Sequence, residues 1–463
     1  MSRDARASSR PGRHVTQRVA VVAVALLLAA VAAGGSGTDT APEQVVQARK
    51  NVDPTYTDIT FVQANISKDM SIPAFDQDVA TVFAQQPDII TFNEVYARDS
   101  AKLAPEGYTI WRTPGIRTGW APVVWNSSKW TAIDQGTRQI SKSVKKGTLI
   151  GVRYANWVTL QNPAGQVLSV ISTHIAPNNK DTAHLLVPSL KVLNNLAKSL
   201  RERGPVLMGG DFNMGYHSSR YQPQYLSGAG LVSTFDLLGS SFPTHRKGGT
   251  IDYVFLSPRS HFFVTEQYPV PLKSDHTAIG LRMQLLSGPD GTPPPTFKGG
   301  TFTANPAGST AERRKVRDLE VAAIDATPTG AAIHVASRKI RGNGLFRALR
   351  DAHHRGVHVT VVSGERGLTP PAKELRRLLR GNVLERSYLV RRPQAWTGAD
   401  PMPATMLLIS RTGGTSALSL TANTDMSVAP MKPKFRTVTK AKLTVGVRRY
   451  DGWYQQYLAA VGR

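Results

Sequence analysis

The sequence predicts two domains that both mix strands and helices, the first dominated by short strands and the second alternating strand with helix. Three observations carry that expectation. Short apolar runs closed by turn or polar residues recur from residue 57 to residue 284. A stretch rich in proline and glycine follows Leu286, with Ser287-Gly288-Pro289-Asp290-Gly291 running into three prolines and then Lys298-Gly299-Gly300; it disfavours regular structure and reads as a linker. Beyond it, strand-like and helix-like runs take turns, the pattern of an α/β layer. At about 100–200 residues per domain, 463 residues accommodate this division.

Taken in order, residues 1–49 read as a secretion signal and spacer. Arg3, Arg6, Arg10, Arg13 and Arg18 precede the apolar run Val19–Ala33, and Ala30-Val31-Ala32 supplies small residues for cleavage. The run is shorter than the roughly 20 residues that span a bilayer, so export with no stable membrane insertion after cleavage is the expectation, and an uncleaved anchor the rival. Residues 50–286 hold strands expected at Thr57–Ala64, Asp88–Phe92, Ala121–Trp125, Val158–Leu160, Val167–Thr173, Pro205–Met208, Ile251–Leu256 and Ala278–Gln284. Helices are expected at Ile72–Gln85 and at Thr182–Arg203, where leucines recur at near-helical spacing. Residues 287–310 form the linker. Residues 311–463 give strands at Ala332–Ala336, Val357–Val362, Thr405–Ile409 and Leu418–Leu420, with helices at Leu345–Arg355 and Pro371–Leu379.

Composition narrows the chemistry. There is no cysteine, which excludes disulfides, thiolate zinc sites and a cysteine nucleophile, so any metal must sit on oxygen or imidazole. The net charge is +25 and is unevenly spread: residues 50–295 carry 23 basic and 18 acidic side chains, residues 296–463 carry 28 and 11. The catalytic candidates lie in the mildly basic part. Asn65, Glu94, His174, Asp211 and Asn213 each follow an apolar run, where a strand would end; Asp252 stands in Thr250-Ile251-Asp252-Tyr253-Val254-Phe255, and Asp275-His276 open the last strand. One such residue is ordinarily a cap or loop residue. Ends of neighbouring strands converge on one rim, so a series of them makes a site.

The order and content of Gly210-Asp211-Phe212-Asn213, Ile251-Asp252-Tyr253 and Ser274-Asp275-His276, supported by Phe92-Asn93-Glu94-Val95 and Ser172-Thr173-His174, resemble the endonuclease/exonuclease/phosphatase family of metal-dependent phosphodiesterases over residues 55–285. The resemblance implies a four-layer α/β/β/α sandwich, two packed, mainly antiparallel sheets flanked by helices, and a Mg²⁺ or Mn²⁺ cofactor. It implies Glu94 as principal metal ligand, Asn65 beside it and Asp275 in the shell or at a second site. His276 is then the general base with Asp252 holding its imidazole, Asp211 the rival base; Asp211 and Asn213 orient water and a phosphate oxygen, and His174 donates to the phosphate or protonates the leaving group. Such roles suit a reaction that must neutralise a phosphoryl transition state and deprotonate water. Arg153 and Tyr154 are weaker candidates for the substrate phosphate. Asn93 stands where the family more often has glutamine.

The C-terminal segments Gly344–Ala352 with Arg355-Gly356-Val357, and Ala404–Ile409 leading to Ser419–Asn423, resemble the phospholipase D-like superfamily. Ala404 and Met406 stand where that family has the histidine and lysine of its His-x-Lys motif, which implies a noncatalytic domain. Its basic clusters, interleaved with Tyr450, Trp453, Tyr454 and Tyr457, suggest a polyanion ligand. The reading is an exported nuclease on DNA or RNA with a basic accessory domain. Its alternatives are a sphingomyelinase-like phospholipid phosphodiesterase or phosphate monoesterase, and, in another class, a noncatalytic surface protein that binds polyanions.

Overall fold

A computed structural model describes residues 56–115, 117–340, 343–365, 367–397, 401–426 and 431–463. The proposed leader lies outside the described residues. In the N-terminal part the order is β1 (Thr57–Asn65), α1 (Ile72–Phe83), β2 (Ile89–Asn93), α2 (Ser100–Leu103), β3 (Tyr108–Trp111), β4 (Val123–Asn126), β5 (Thr131–Ser141), β6 (Arg153–Gln161), β7 (Val167–His174) and α3 (Leu186–Leu200). It continues with β8 (Val206–Asp211), β9 (Val232–Ser233), α4 (Thr234–Leu238), β10 (Asp252–Ser257), β11 (Phe262–Val270) and β12 (Ala278–Leu285).

These strands form two six-stranded sheets, ordered β11-β12-β1-β2-β4-β3 and β5-β6-β7-β8-β10-β9. The β1–β2 and β7–β8 pairs are parallel and the other pairs antiparallel. Strand alternation sets the layers. Ile59 and Phe61 of β1 enter the core between the sheets with Val158, Val170 and Phe255. Val62 and Ala64 face the other way, onto Phe75, Val79 and Val82 of α1. On the far side, Leu190, Leu193 and Ala197 of α3 close the second sheet. The helix expected from Thr182 begins instead as a single 3₁₀ turn at Ala183–Leu185, and the α-helix starts two residues before Pro188, which is tolerated in the first turn.

The C-terminal part comprises β13 (Gly300–Ala304), α5 (Thr310–Asp325), β14 (Ala332–Ser337), α6 (Asn343–His354), β15 (His358–Ser363), α7 (Pro370–Leu379), β16 (Tyr388–Arg391), β17 (Thr405–Thr412), β18 (Thr415–Ala422), β19 (Thr439–Val445) and α8 (Val447–Val461). Its seven-stranded sheet runs β13-β19-β18-β17-β14-β15-β16 and has its own apolar core. Two sequence expectations are corrected here. The segment read as linker contains β13, whose Thr301, Phe302 and Thr303 pair with Lys442, Ala441 and Lys440 of β19; the glycines and prolines around it masked a three-residue β-forming run. The aromatics interleaved with the C-terminal basic clusters, read as part of the signal for a polyanion ligand, pack inward. Tyr457 is fully buried, and Tyr450, Trp453 and Tyr454 pack against the core beneath α8, because their spacing of three and four residues makes one helix face.

The two parts meet at one end of the N-terminal sandwich. Arg411 Nη2 donates to the carbonyls of Ser260 at 3.0 Å and Phe262 at 3.3 Å, and Tyr56 Oη donates to the Ala326 carbonyl at 2.5 Å. Burial and the nearby Arg259 charge push the Arg411 guanidinium down to about 10.

Candidate active site

The opposite end of the sandwich gathers the polar strand ends. On β1 and β2 the inward face carries Gln63 and Asn65, and Thr91 and Asn93, below which lie the apolar Ile59, Phe61 and Ile89. Asn93 ties the two sheets together. Its Oδ1 accepts from Gln63 Nε2 and from the Asp211 backbone amide, both at 2.8 Å, and its Nδ2 donates to the Thr173 carbonyl at 3.0 Å. Thr91 Oγ1 donates to Gln63 Oε1 at 2.5 Å. The sheets approach so closely here that a Cβ on Gly209 would lie 2.3 Å from Thr91 Oγ1, and within the second sheet one on Gly210 would lie 2.0 Å from the carbonyl of its neighbour Thr173. The two glycines before Asp211 are therefore steric requirements for bringing its carboxylate to the rim.

Register does the rest. Asn65 pairs with Asn93, which sets Glu94 beside Asn65, and His174 and Asp252 flank Asp211 on β7 and β10. Asp211 Oδ2 becomes the centre: Asn65 Nδ2 lies at 3.1 Å, Asn213 Nδ2 at 3.3 Å, His174 Nε2 at 3.4 Å and His276 Nε2 at 4.0 Å. The other oxygen, Oδ1, accepts the Asn213 amide at 2.8 Å. His276 Nδ1 sits 2.7 Å from Asp252 Oδ2 with both side chains buried. Two site residues hold positive φ, Glu94 at 65° and Asn213 at 48°. Asparagine tolerates that region; glutamate does so only under restraint, and such strain concentrates where side-chain aim matters.

The electrostatics follow from crowding. Burial and the charge of Asp252 push the Asp211 carboxyl up to about 8, while His276 and the Asn213 amide pull it back. Burial opposes charge on His276, yet the Asp252 charge and hydrogen bond outweigh it and lift the imidazole to about 10. Burial, reinforced by Arg153, His276 and Arg117, pushes His174 well below its ordinary value, so it is a neutral imidazole. Arg153 is buried, stacks over Trp120 with its guanidinium 5.1 Å from the ring, and is pushed down to about 10 by burial and Arg117.

The structure thus brings together Asn65, Glu94, His174, Asp211, Asn213, Asp252 and His276, with Arg153 behind His174. Tyr154 follows Arg153 on β6 and takes the opposite face of the strand. Asp275 lies on the other side of His276. Its carboxylate lies 3.7 Å from His245 Nε2, and His245 stacks edge-on against His276 with ring centroids 4.8 Å apart. The cause is the β-bridge between His245 and His276, which turns the loop before β10 over the rim. His245 carried no sequence signal beyond a lone imidazole before a glycine pair.

Oxygen donors dominate the rim, and two of them, Asn65 Oδ1 and Asp252 Oδ1, are buried with no hydrogen-bond partner among the described residues. Donor atoms of Asp211, Asp252 and His276 lie within 4.8 Å of one another, as do those of His245, Asp275 and His276. Carboxylates and amide oxygens in excess of nearby cations fit a hard divalent ion.

Two facing mixed sheets whose rim presents acidic, amide and imidazole groups define a phosphoester hydrolase framework. Residues 62–276 match the model of the Endonuclease/Exonuclease/phosphatase family, and the N-terminal domain is a member of that family. Solved structures similar to the chain include an endonuclease/exonuclease/phosphatase from Bacteroides vulgatus, with 17% identity over 50% of this chain and 99% of that one and a TM-score of 0.43. The human Nocturnin catalytic domain with bound sulfate follows at 18% identity over 50% and 97%, TM-score 0.42. A mannosyl-6-phosphatase from Bacteroides thetaiotaomicron has 16% identity over 49% and 99%, TM-score 0.39. No curated protein matches the chain.

Proposed function

We propose that the protein is an exported, divalent-metal-dependent phosphodiesterase acting on nucleic acid, with the C-terminal domain as a noncatalytic, phospholipase D-like accessory unit. The observation that carries the reading is the convergence of four nitrogen-bearing side chains on Asp211 Oδ2 next to the fixed Asp252–His276 pair. Glu94 and Asn65 would hold Mg²⁺ or Mn²⁺, with Asp275 near enough to His276 to join from the other side; such an ion supplies Lewis acidity toward a phosphoryl oxygen and a more acidic bound water.

This chain's own residues then divide the remaining work. Asp252 fixes the imidazole of His276 so that Nε2 faces Asn65 and Asp211, and it stabilises a proton gained there. Asn213 Nδ2 and neutral His174 offer N–H groups to non-bridging phosphate oxygens. The depressed basicity of His174 favours that donor role over protonation of the leaving group. Asp211 Oδ2 orients the water. A second reading, in which Asp211 rather than His276 takes the proton, is favoured by its position at the centre of the cluster. Arg153 adds positive potential behind the phosphate without a carboxylate partner within hydrogen-bonding reach among the described residues.

In the C-terminal domain, the positions aligned with the phospholipase D motif hold a methyl group at Ala404 and the fully buried Met406, neither of which can form a phosphohistidine. A turnover panel of plasmid DNA, RNA, sphingomyelin vesicles and phosphate monoesters, with Mg²⁺ or Mn²⁺, tests the assignment. Turnover confined to lipid or monoester would replace the nuclease reading.

A further inference from the structure

The connection between β5 and β6 displays apolar and cationic side chains at the edge of the catalytic rim, and the hydrolytic chemistry uses neither. Leu149 and Ile150 are 49% and 44% exposed, and they are the only consecutive pair among the exposed large hydrophobic residues described. Lys142, Lys145 and Lys146 are exposed on the same connection, and no ion pair among the described residues involves any of them. The stretch from 142 to 152 contains no acidic residue. Its backbone is held in place. The Val144 amide donates to the Ile150 carbonyl at 3.0 Å and the Val152 amide to the Leu149 carbonyl at 3.2 Å. Ser143 Oγ and Thr148 Oγ1 donate to the Lys145 carbonyl at 2.7 and 2.8 Å. Gly151 lets the base close: its φ is 82°, and a Cβ there would lie 2.8 Å from Leu185 Cδ1 and 3.2 Å from Val144 Cγ1. The half-buried Val144 and Leu185 pack against this base, and Leu149 and Ile150 are left facing solvent.

Register fixes where this hairpin stands. Ser141 pairs with Arg153 at the base and Ala155 pairs with Thr173 of β7, so Tyr154 lies level with His174. Val152 is two residues further along, which puts the base of the hairpin about 7 Å beyond His174 in the strand direction. The hairpin therefore projects past the rim, at the β5 edge of its sheet. The loop leading to Leu185 carries Lys180 and Asp181, exposed and of opposite sign, so the three lysines set the local charge. Nucleic-acid phosphates would satisfy those lysines but would bury nothing of Leu149 and Ile150. An anionic lipid leaflet matches both features: its headgroup phosphates meet the ammonium groups, and its interfacial layer takes up aliphatic side chains.

We propose that residues 142–152 form a peripheral docking arm for an anionic membrane surface, with Leu149 and Ile150 in the interfacial layer and the three lysines on lipid phosphates, holding the rim beside the leaflet. This goes beyond the hydrolytic reading, because it concerns where the enzyme works and not what it cleaves. Binding is measured in chelator, without catalysis, so either reading can fail alone. The experiment follows co-sedimentation of a chain beginning at residue 50 with phosphatidylcholine vesicles, with and without an equal part of phosphatidylglycerol. That chain keeps every described residue and removes the apolar run Val19–Ala33, which would bind lipid on its own. At about 5-fold per lysine near an anionic surface, K142A/K145A/K146A should lose on the order of 100-fold in affinity for the anionic vesicles. L149S/I150S should lose about 10-fold, from the half of each side chain that is exposed. The affinity of L149S/I150S for a fluorescent single-stranded DNA should stay that of wild type, and melting temperatures report that both variants are folded. Binding to anionic vesicles that is absent, or that neither variant changes, overturns the proposal. So does a lysine variant that loses DNA affinity while L149S/I150S keeps its vesicle affinity, which would assign the hairpin to nucleic acid.

Discussion

Asp252→Asn isolates the contribution of charge to the His276 pair. The bond is 2.7 Å long and both side chains are buried, so the substitution keeps shape and removes the negative charge. Hydrogen bonds to charged groups contribute about 1.5–3 kcal/mol. If that stabilisation is realised as His276 gains charge in the transition state, kcat falls about 10- to 150-fold. The Asp252 charge also raises the proton affinity of the imidazole and helps push the Asp211 carboxyl up. Its removal should therefore lower both proton affinities and shift the pH–rate profile to lower pH. Hydrolysis of bis(p-nitrophenyl) phosphate across pH 5–10, with thermal unfolding as a check on folding, measures both effects. A kcat within two-fold of wild type and an unmoved profile would refute the role given to this pair.

Two further outcomes rest on other parts of the structure. Asn93→Ala strands three buried groups, Gln63 Nε2, the Asp211 amide and the Thr173 carbonyl; at about 1 kcal/mol or more each, the melting temperature should drop by at least 6 °C, read by calorimetry. Asn93→Gln should recover part of that loss. In the C-terminal domain, burial pushes His334 down to about 4, so the folded state disfavours its proton. The stability it leaves intact above pH 6.5 is lost as pH falls toward 4, by up to about 3 kcal/mol. Denaturant titrations should show a shallower acid loss in His334→Gln than in wild type.

What the sequence made legible follows from where information sits. A strand that runs apolar up to a polar last residue announces a rim, which is why Asn65, Glu94, His174 and Asp211 could be named and why the register then gathers them. Residues placed by a loop lack that announcement. His245 reaches the rim through a single bridge to His276, and Asp275 turns toward it. β11 was hidden because Glu266, Gln267 and Pro269 interrupt its apolar pattern at a sheet edge. α5 was hidden by its charge: Ser309 and Glu312 form a capping box at its start, but seven further basic and acidic residues obscure the apolar stripe of Val316, Leu319, Ala323 and Ile324. The aromatic stripe of α8 was visible as residue types, and its period of three and four distinguishes a packed helix face from a stacking surface.

On the proposed function, the rim around Glu94, Asp211 and His276 hydrolyses phosphodiesters with a divalent ion. The most direct measurement compares oligonucleotide cleavage by wild type and Glu94→Gln in Mg²⁺ or Mn²⁺, each repeated with excess chelator, alongside calorimetric titration of Mn²⁺ into both proteins. Wild type should cleave only with metal, Glu94→Gln should lose at least 100-fold, and the variant should bind Mn²⁺ more weakly. Cleavage that survives both chelation and Glu94→Gln would contradict that reading.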